Sequence, residues 1–240
     1  MIPATYTWSG GTEAMLRFGP DTGPVVIAAL PLFEEANRTR TFVVTVLRAL
    51  AERGVASILP DLPGTGDSLV ATQDATIMAM REAYEAVATM VGLEERPAYA
   101  FGIRGAALLD TLALLSGRYH LAPQQGERLL HELRRIRFAG RERTIPDDSS
   151  WMFADGEIAP VEIAGNLISP QTLCELIGSL HFAADDGVPL RVARVATDVQ
   201  TADIKFDAAP LWRRAEPGND PALAALIAAD IAQWIAACAV

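Results

Sequence analysis

Lysine is all but missing from this chain: Lys205 is the only one, so nearly all the positive charge is arginine, a bias expected of a GC-rich bacterial genome. Cysteine is nearly as scarce. Cys174 and Cys238 stand far apart with no metal-ligand spacing, so both are expected to be reduced and structural, in keeping with a cytoplasmic protein. Excess positive charge is absent too. The net charge is −10 and the pI about 4.8, whereas binding to phosphate backbones needs clustered cations, so no nucleic-acid partner is expected. The opening MIPATYTWSGG has neither the basic stretch nor the apolar core of a signal peptide, so export is not encoded there. Long unbroken apolar runs are also lacking. Leu223 to Val240 comes nearest, but alanine dominates it and Asp230 and Gln233 interrupt it, which predicts an amphipathic surface helix and no membrane span.

What is present is a globular composition, 50% hydrophobic and 21% charged, in 240 residues, a length that one α/β domain fills. Thr5 to Trp8 and Ala14 to Phe18 flank Ser9-Gly10-Gly11 and predict an N-terminal hairpin. Pro24 to Leu30 is an apolar run bounded by turn residues, the pattern of a strand buried on both faces. Phe42, Val43, Val46, Leu47 and Leu50 recur at helical spacing within Thr39 to Arg53, with Gly54 as C-cap. Val55 to Leu59 reads as a second buried strand and Pro97 to Ile103 as a third. Between them Ile77, Met80, Tyr84, Val87 and Val91 mark one face of a helix ending at Gly92. A largely apolar helix is expected from Ala106 to Leu115. This alternation predicts an α/β fold, a mostly parallel sheet covered by helices on both faces.

From about Tyr119 to Asp186 the pattern breaks. An arginine-rich helix (Glu127 to Arg137), a loop around Pro146-Asp147-Asp148, a strand pair within Val161 to Ile168 and a helix after Ser169-Pro170 are expected there. The sheet resumes at Leu190 to Ala196, and Asn219-Asp220-Pro221 starts a last helix. The expected division is a core at 1–118 and 187–240, with residues 119–186 as a cap over the ligand crevice.

Three strand-end junctions carry the chemistry, because open α/β sheets bind ligands at that edge. Pro31-Leu32-Phe33-Glu34-Glu35-Ala36-Asn37-Arg38 stands where an α/β-hydrolase carries its oxyanion-hole loop. Asp61-Leu62-Pro63-Gly64-Thr65-Gly66-Asp67-Ser68 resembles the D-x-x-G-x-G-x-S loop after the following strand, and it reads more as a rigid turn than as a catalytic centre. Gly102-Ile103-Arg104-Gly105-Ala106 sits at the nucleophile elbow, with Arg104 in the nucleophile's place. A guanidinium donates and never accepts, so it cannot attack a carbonyl. His120, His131 and His181 all precede the last predicted strand, whereas a triad base follows it, and Trp212 stands roughly where that base would be. Asp198 and Asp203 could fill the acid's place, but without an imidazole they have nothing to orient.

Together these motifs, with Val161-Glu162-Ile163-Ala164-Gly165 and Pro210-Leu211-Trp212, resemble the exosortase A system-associated hydrolase 2 family, over about Val25 to Trp212. The resemblance implies an α/β-hydrolase fold with a cap insertion. It also implies a bacterial setting beside exopolysaccharide production and the sorting of proteins with a C-terminal PEP-type signal. Arg104, Glu34, Glu35 and Asp61 are the pocket candidates, and Arg104, Phe33, Asn37, Arg38 and Trp212 the candidate ligand-binding residues. No metal and no cofactor are expected. Two arrangements stay open for Arg104: it holds an anionic group of a ligand at the start of the next helix, or it pairs with Glu34 or Glu35. Glu34 to Arg38 are expected to form a pocket-lining network, a helix start capped by Asn37, or both at once. Three functions follow: a non-catalytic anion-binding component, a hydrolase with Glu34, Glu35 or Asp61 as base and Arg104 stabilising the oxyanion, or an interaction subunit of a neighbouring hydrolase. A small-molecule or anionic ligand fits the first two, and a protein partner or a homo-oligomer the third.

Overall fold

The computed structural model describes residues 1–139, 149–153, 159–183, 187–214 and 216–238. Two N-terminal strands, β1 (Ile2–Trp8) and β2 (Gly11–Phe18), pair antiparallel across the two-residue turn Ser9-Gly10, with Trp8 opposite Gly11. The apolar run after them is β3 (Val25–Ala29), followed by α1 (Glu34–Glu52), β4 (Ala56–Pro60), α2 (Ile77–Leu93) and β5 (Ala98–Ile103). These three strands are buried at every position, as strands covered on both faces must be. Then come β6 (Gly117–Leu121), α3 (Gly126–Arg137), the short hairpin β7 (Val161–Ile163) and β8 (Asn166–Ile168), and α4 (Pro170–Leu176). The chain finishes with β9 (Leu190–Val195), β10 (Ile204–Phe206) and α5 (Pro221–Cys238).

The main sheet has the order β1-β2-β4-β3-β5-β6-β9-β10. β2 runs antiparallel to β1 and β4, and every other neighbouring pair is parallel. That order and those directions define an α/β-hydrolase fold. One face packs against α1 and α5, through residues such as Phe42, Val46, Leu47, Ile227 and Ile231. The other packs against α2 and, beyond it, against α3, α4 and the small hairpin, whose Leu129, Leu133, Ile163 and Leu173 join the same core cluster as Ile27 and Ile58.

Several expectations need correction. No α-helix follows β5: Arg104–Leu108 is a 3-10 turn and the chain then bends irregularly into β6. β6 starts opposite Tyr99, so the thirteen residues 104–116 must return along most of β5. Asp110, in the middle of the expected helix, is instead drawn inward to Arg118 and His120 on β6. Residues 119–121, expected in the cap, instead complete β6, a central strand. Its polar Arg118 and His120 hid it, and both are buried against Asp110. Asn37 does not cap α1, which starts at Glu34 directly after Phe33, and lies exposed on the helix. β10 had no sequence signature strong enough to be expected. Cys174 and Cys238 are free, but Cys174 is exposed and contributes nothing to the core. The loop at Pro146-Asp147-Asp148 falls outside the described residues. α5 is long and apolar enough to cross a membrane by length and composition, yet its Leu223, Ile227, Ile231 and Ile235 face is buried in the core.

Candidate functional site

The elbow after β5 is built as its sequence suggests. A Cβ on Gly102 would stand 3.1 Å from the backbone of Ala107, and one on Gly105 would stand 3.2 Å from Leu129 and 3.4 Å from Leu32, so both positions leave little room for a side chain. Arg104 between them has φ 56, a left-handed conformation that costs a residue with a Cβ about 1–2 kcal/mol. The turn projects its guanidinium over the C-terminal edge of the sheet. There Nε and Nη2 donate to the two oxygens of Glu35 at 3.3 and 3.2 Å, and Nη2 donates again to Glu132 at 2.9 Å. The ring of Trp212 lies 5.5 Å from the guanidinium carbon, within cation–π range. Arg104 thus joins three elements: Glu35 on α1, Glu132 on α3 and Trp212 in the turn after β10.

The charges around it are tightly interleaved. Burial pushes the Glu35 carboxyl above its ordinary value; Arg104 opposes that shift, and Glu132 and Glu34 add to it. Arg38 forms an ion pair with Glu34 one turn away and donates to the backbone oxygen of Trp212 at 3.2 Å, which pins the post-β10 turn to α1. Two open chambers meet at Arg104, Trp212 and Arg213. The smaller, of about 120 Å³, also takes Arg128, Thr197 and Asp198. The larger, of about 650 Å³, takes Glu34, Glu35, Arg38, Glu132 and Arg135.

Of the sequence candidates, Arg104, Glu34, Glu35, Arg38 and Trp212 therefore come together. Phe33 and Asn37 line neither chamber; Phe33 packs against the core cluster. Asp61 lines neither chamber and holds its own loop: its carboxylate accepts from the Asp67 amide at 3.1 Å and pairs with Arg40 at 3.1 Å. The loop around it is a rigid turn, with Ser68 accepting from the amides of Gly64 and Val70 and donating to Glu13. The acids after β9 are structural as well. Asp198 pairs with Arg194 at 2.7 Å, and Asp203 accepts from the Val192 amide.

Sequence reasoning missed Glu132, because a glutamate within an arginine-rich helix looks like one more surface charge. It also missed a buried polar cluster beside the elbow. His120 on β6 bonds Asp110 at 2.7 Å, Arg118 lies 3.4 Å from the same carboxylate, and the ring of Phe182 covers the Arg118 guanidinium at 3.8 Å. His120 is fully enclosed and lines neither chamber. Among the described residues no histidine hydrogen-bonds a serine or cysteine side chain, and no group of three metal-ligating side chains forms. The site can hold charged and polar groups in place; among the described residues it presents no hydroxyl or thiol nucleophile with an imidazole base.

Comparison with solved structures finds proteins of similar fold. The chain is similar to Est1E from Butyrivibrio proteoclasticus, with a TM-score of 0.60 and 14% identity over 98% of each chain. The same protein with ferulic acid bound gives 0.59 and 13% over 97% of each. A thermophilic esterase from Thermogutta terrifontis gives 0.54 and 14% over 99% of each. At such identities the likeness establishes the fold alone. No protein-family model matches the sequence, and no curated protein does.

Proposed function

We propose that this chain is a non-catalytic, ligand-binding member of the α/β-hydrolase fold, in which the arginine at the nucleophile elbow serves to hold an anionic group. The observation that carries this reading is Arg104 itself, a cation in the nucleophile's place, fixed by Glu35 and Glu132 and flanked by two open chambers. A guanidinium fixed by hydrogen bonds before the ligand arrives loses little freedom when an anion docks. The motif resemblance supports a role beside bacterial exopolysaccharide production and PEP-type protein sorting, and the two unpaired cysteines support a cytoplasmic one. The test is calorimetric titration of sulfate and phosphate into the wild-type protein and Arg104→Ala. Saturable binding that the substitution abolishes supports the reading, and equal binding by both proteins overturns it.

A second reading, in which Glu35 activates water and Arg104 stabilises the oxyanion, is favoured by their direct contact, with the Glu35 carboxyl raised above its ordinary value by burial. Turnover of esters, thioesters or glycosides above that of Arg104→Ala would favour it.

A further inference from the structure

The two chambers differ in what they offer a ligand. In the smaller, Arg104, Arg128 and Arg213 face one carboxylate among the described residues, Asp198, which already accepts from Arg194 at 2.7 Å and from the Gln200 amide at 3.0 Å. Arg213 is exposed and pairs with no carboxylate among the described residues, and Arg128 comes no nearer to Glu132 than 4.0 Å. Three guanidiniums around a space for one compact group suit a dianion better than a singly charged carboxylate. The larger chamber offers acceptors. Glu34 and Glu132 each receive one close hydrogen-bonding partner, Arg38 and Arg104, whereas a carboxylate has room for about four. Their unused lone pairs face a space walled on other sides by Trp212, Ile136 and Ala139. A ligand body that fits there carries hydroxyl donors on a carbon skeleton.

Resting on the anion-binding reading above, we propose that the ligand is a phosphomonoester of a hydroxyl-rich molecule. Its phosphoryl group sits among Arg104, Arg128 and Arg213, and its hydroxyls donate to Glu34 and Glu132. The two halves meet beneath Trp212, which lines both chambers.

The experiment titrates four probes into the full chain: inositol monophosphate, neutral inositol, inorganic phosphate and acetate. The monophosphate is expected to bind about tenfold tighter than phosphate, phosphate about tenfold tighter than acetate, and neutral inositol not measurably. The double variant Arg128→Ala/Arg213→Ala, which removes two exposed side chains and leaves the core intact, is expected to lose about tenfold for both phosphates at unchanged Tm. Equal affinity for phosphate and the monophosphate would remove the hydroxyl-bearing half while leaving anion binding standing. Acetate binding as well as phosphate would overturn the dianion. Undiminished binding in the double variant would overturn the location. If no anion binds the wild-type protein, the proposal and the reading beneath it fall together.

Discussion

Arg104 combines a left-handed backbone with a guanidinium largely withdrawn from water, and each feature has its own signature. Removing the side chain leaves Glu35 and Glu132 facing each other without their cation, so Arg104→Ala is expected to destabilise by about 2–3 kcal/mol in urea unfolding. Arg104→Gly loses the same ion pairs but relieves the backbone, and it should be the more stable of the two by about 1 kcal/mol. The reverse order would show that the turn is unstrained. Arg104→Ser is expected to hydrolyse activated esters no faster than Arg104→Ala, because no histidine among the described residues lines either chamber and His120 is engaged by Asp110. Glu35 gives the site a pH dependence. Its folded-state pKa is raised, so its contribution to stability is present below about pH 4.5 and lost as the pH rises through the raised value. As the pH falls from neutral, Glu35 takes up a proton sooner than a free glutamate and releases part of its hold on Arg104. The affinity for sulfate, whose charge is constant in that range, should therefore rise toward acid pH, and Glu35→Gln should flatten the rise in titrations by calorimetry. The elbow arginine was legible because Gly102, Gly105 and Ala106 mark the turn whatever stands between them. Glu132 was not, since nothing in a local pattern announces a partner 28 residues away.

Among the elements, those that periodicity could reach were legible: β3, β4 and β5 from unbroken apolar runs, α1 and α2 from helical spacing, and α4 and α5 from their Ser169-Pro170 and Asp220-Pro221 starts. β6 was not. Its Arg118 and His120 interrupt the apolar pattern of a buried strand, and it is Asp110, pulled inward by the irregular return from β5, that compensates them. Asp110→Ala should accordingly cost about 3–5 kcal/mol in urea unfolding, since it leaves a buried arginine beside a buried imidazole. A change of about 1 kcal/mol or less would mean that water satisfies the cluster. The packing of the insertion can be tested at Gly126, the first residue of α3, where a Cβ would lie 2.1 Å from the carbonyl oxygen of Leu176 at the end of α4. Gly126→Ala is expected to destabilise by about 1–3 kcal/mol and to lower hydrogen-exchange protection first in α3 and α4.

For the whole molecule, the division into core and cap expected from sequence is less sharp in its packing. Leu129, Leu133, Ile163 and Leu173 belong to the same buried cluster as the strands and α2. The described residues are therefore expected to unfold in one transition, with tryptophan fluorescence and far-ultraviolet circular dichroism giving coincident midpoints. Two separated transitions would show that the insertion folds independently. The return from β5 has a further consequence. Where a longer crossover would have laid a helix across the sheet, this chain leaves a gap that α3 and α4 plug from above. Excising residues 122–189 would not yield a wide-mouthed version of the protein; it would strip one wall from the core and leave an aggregating fragment.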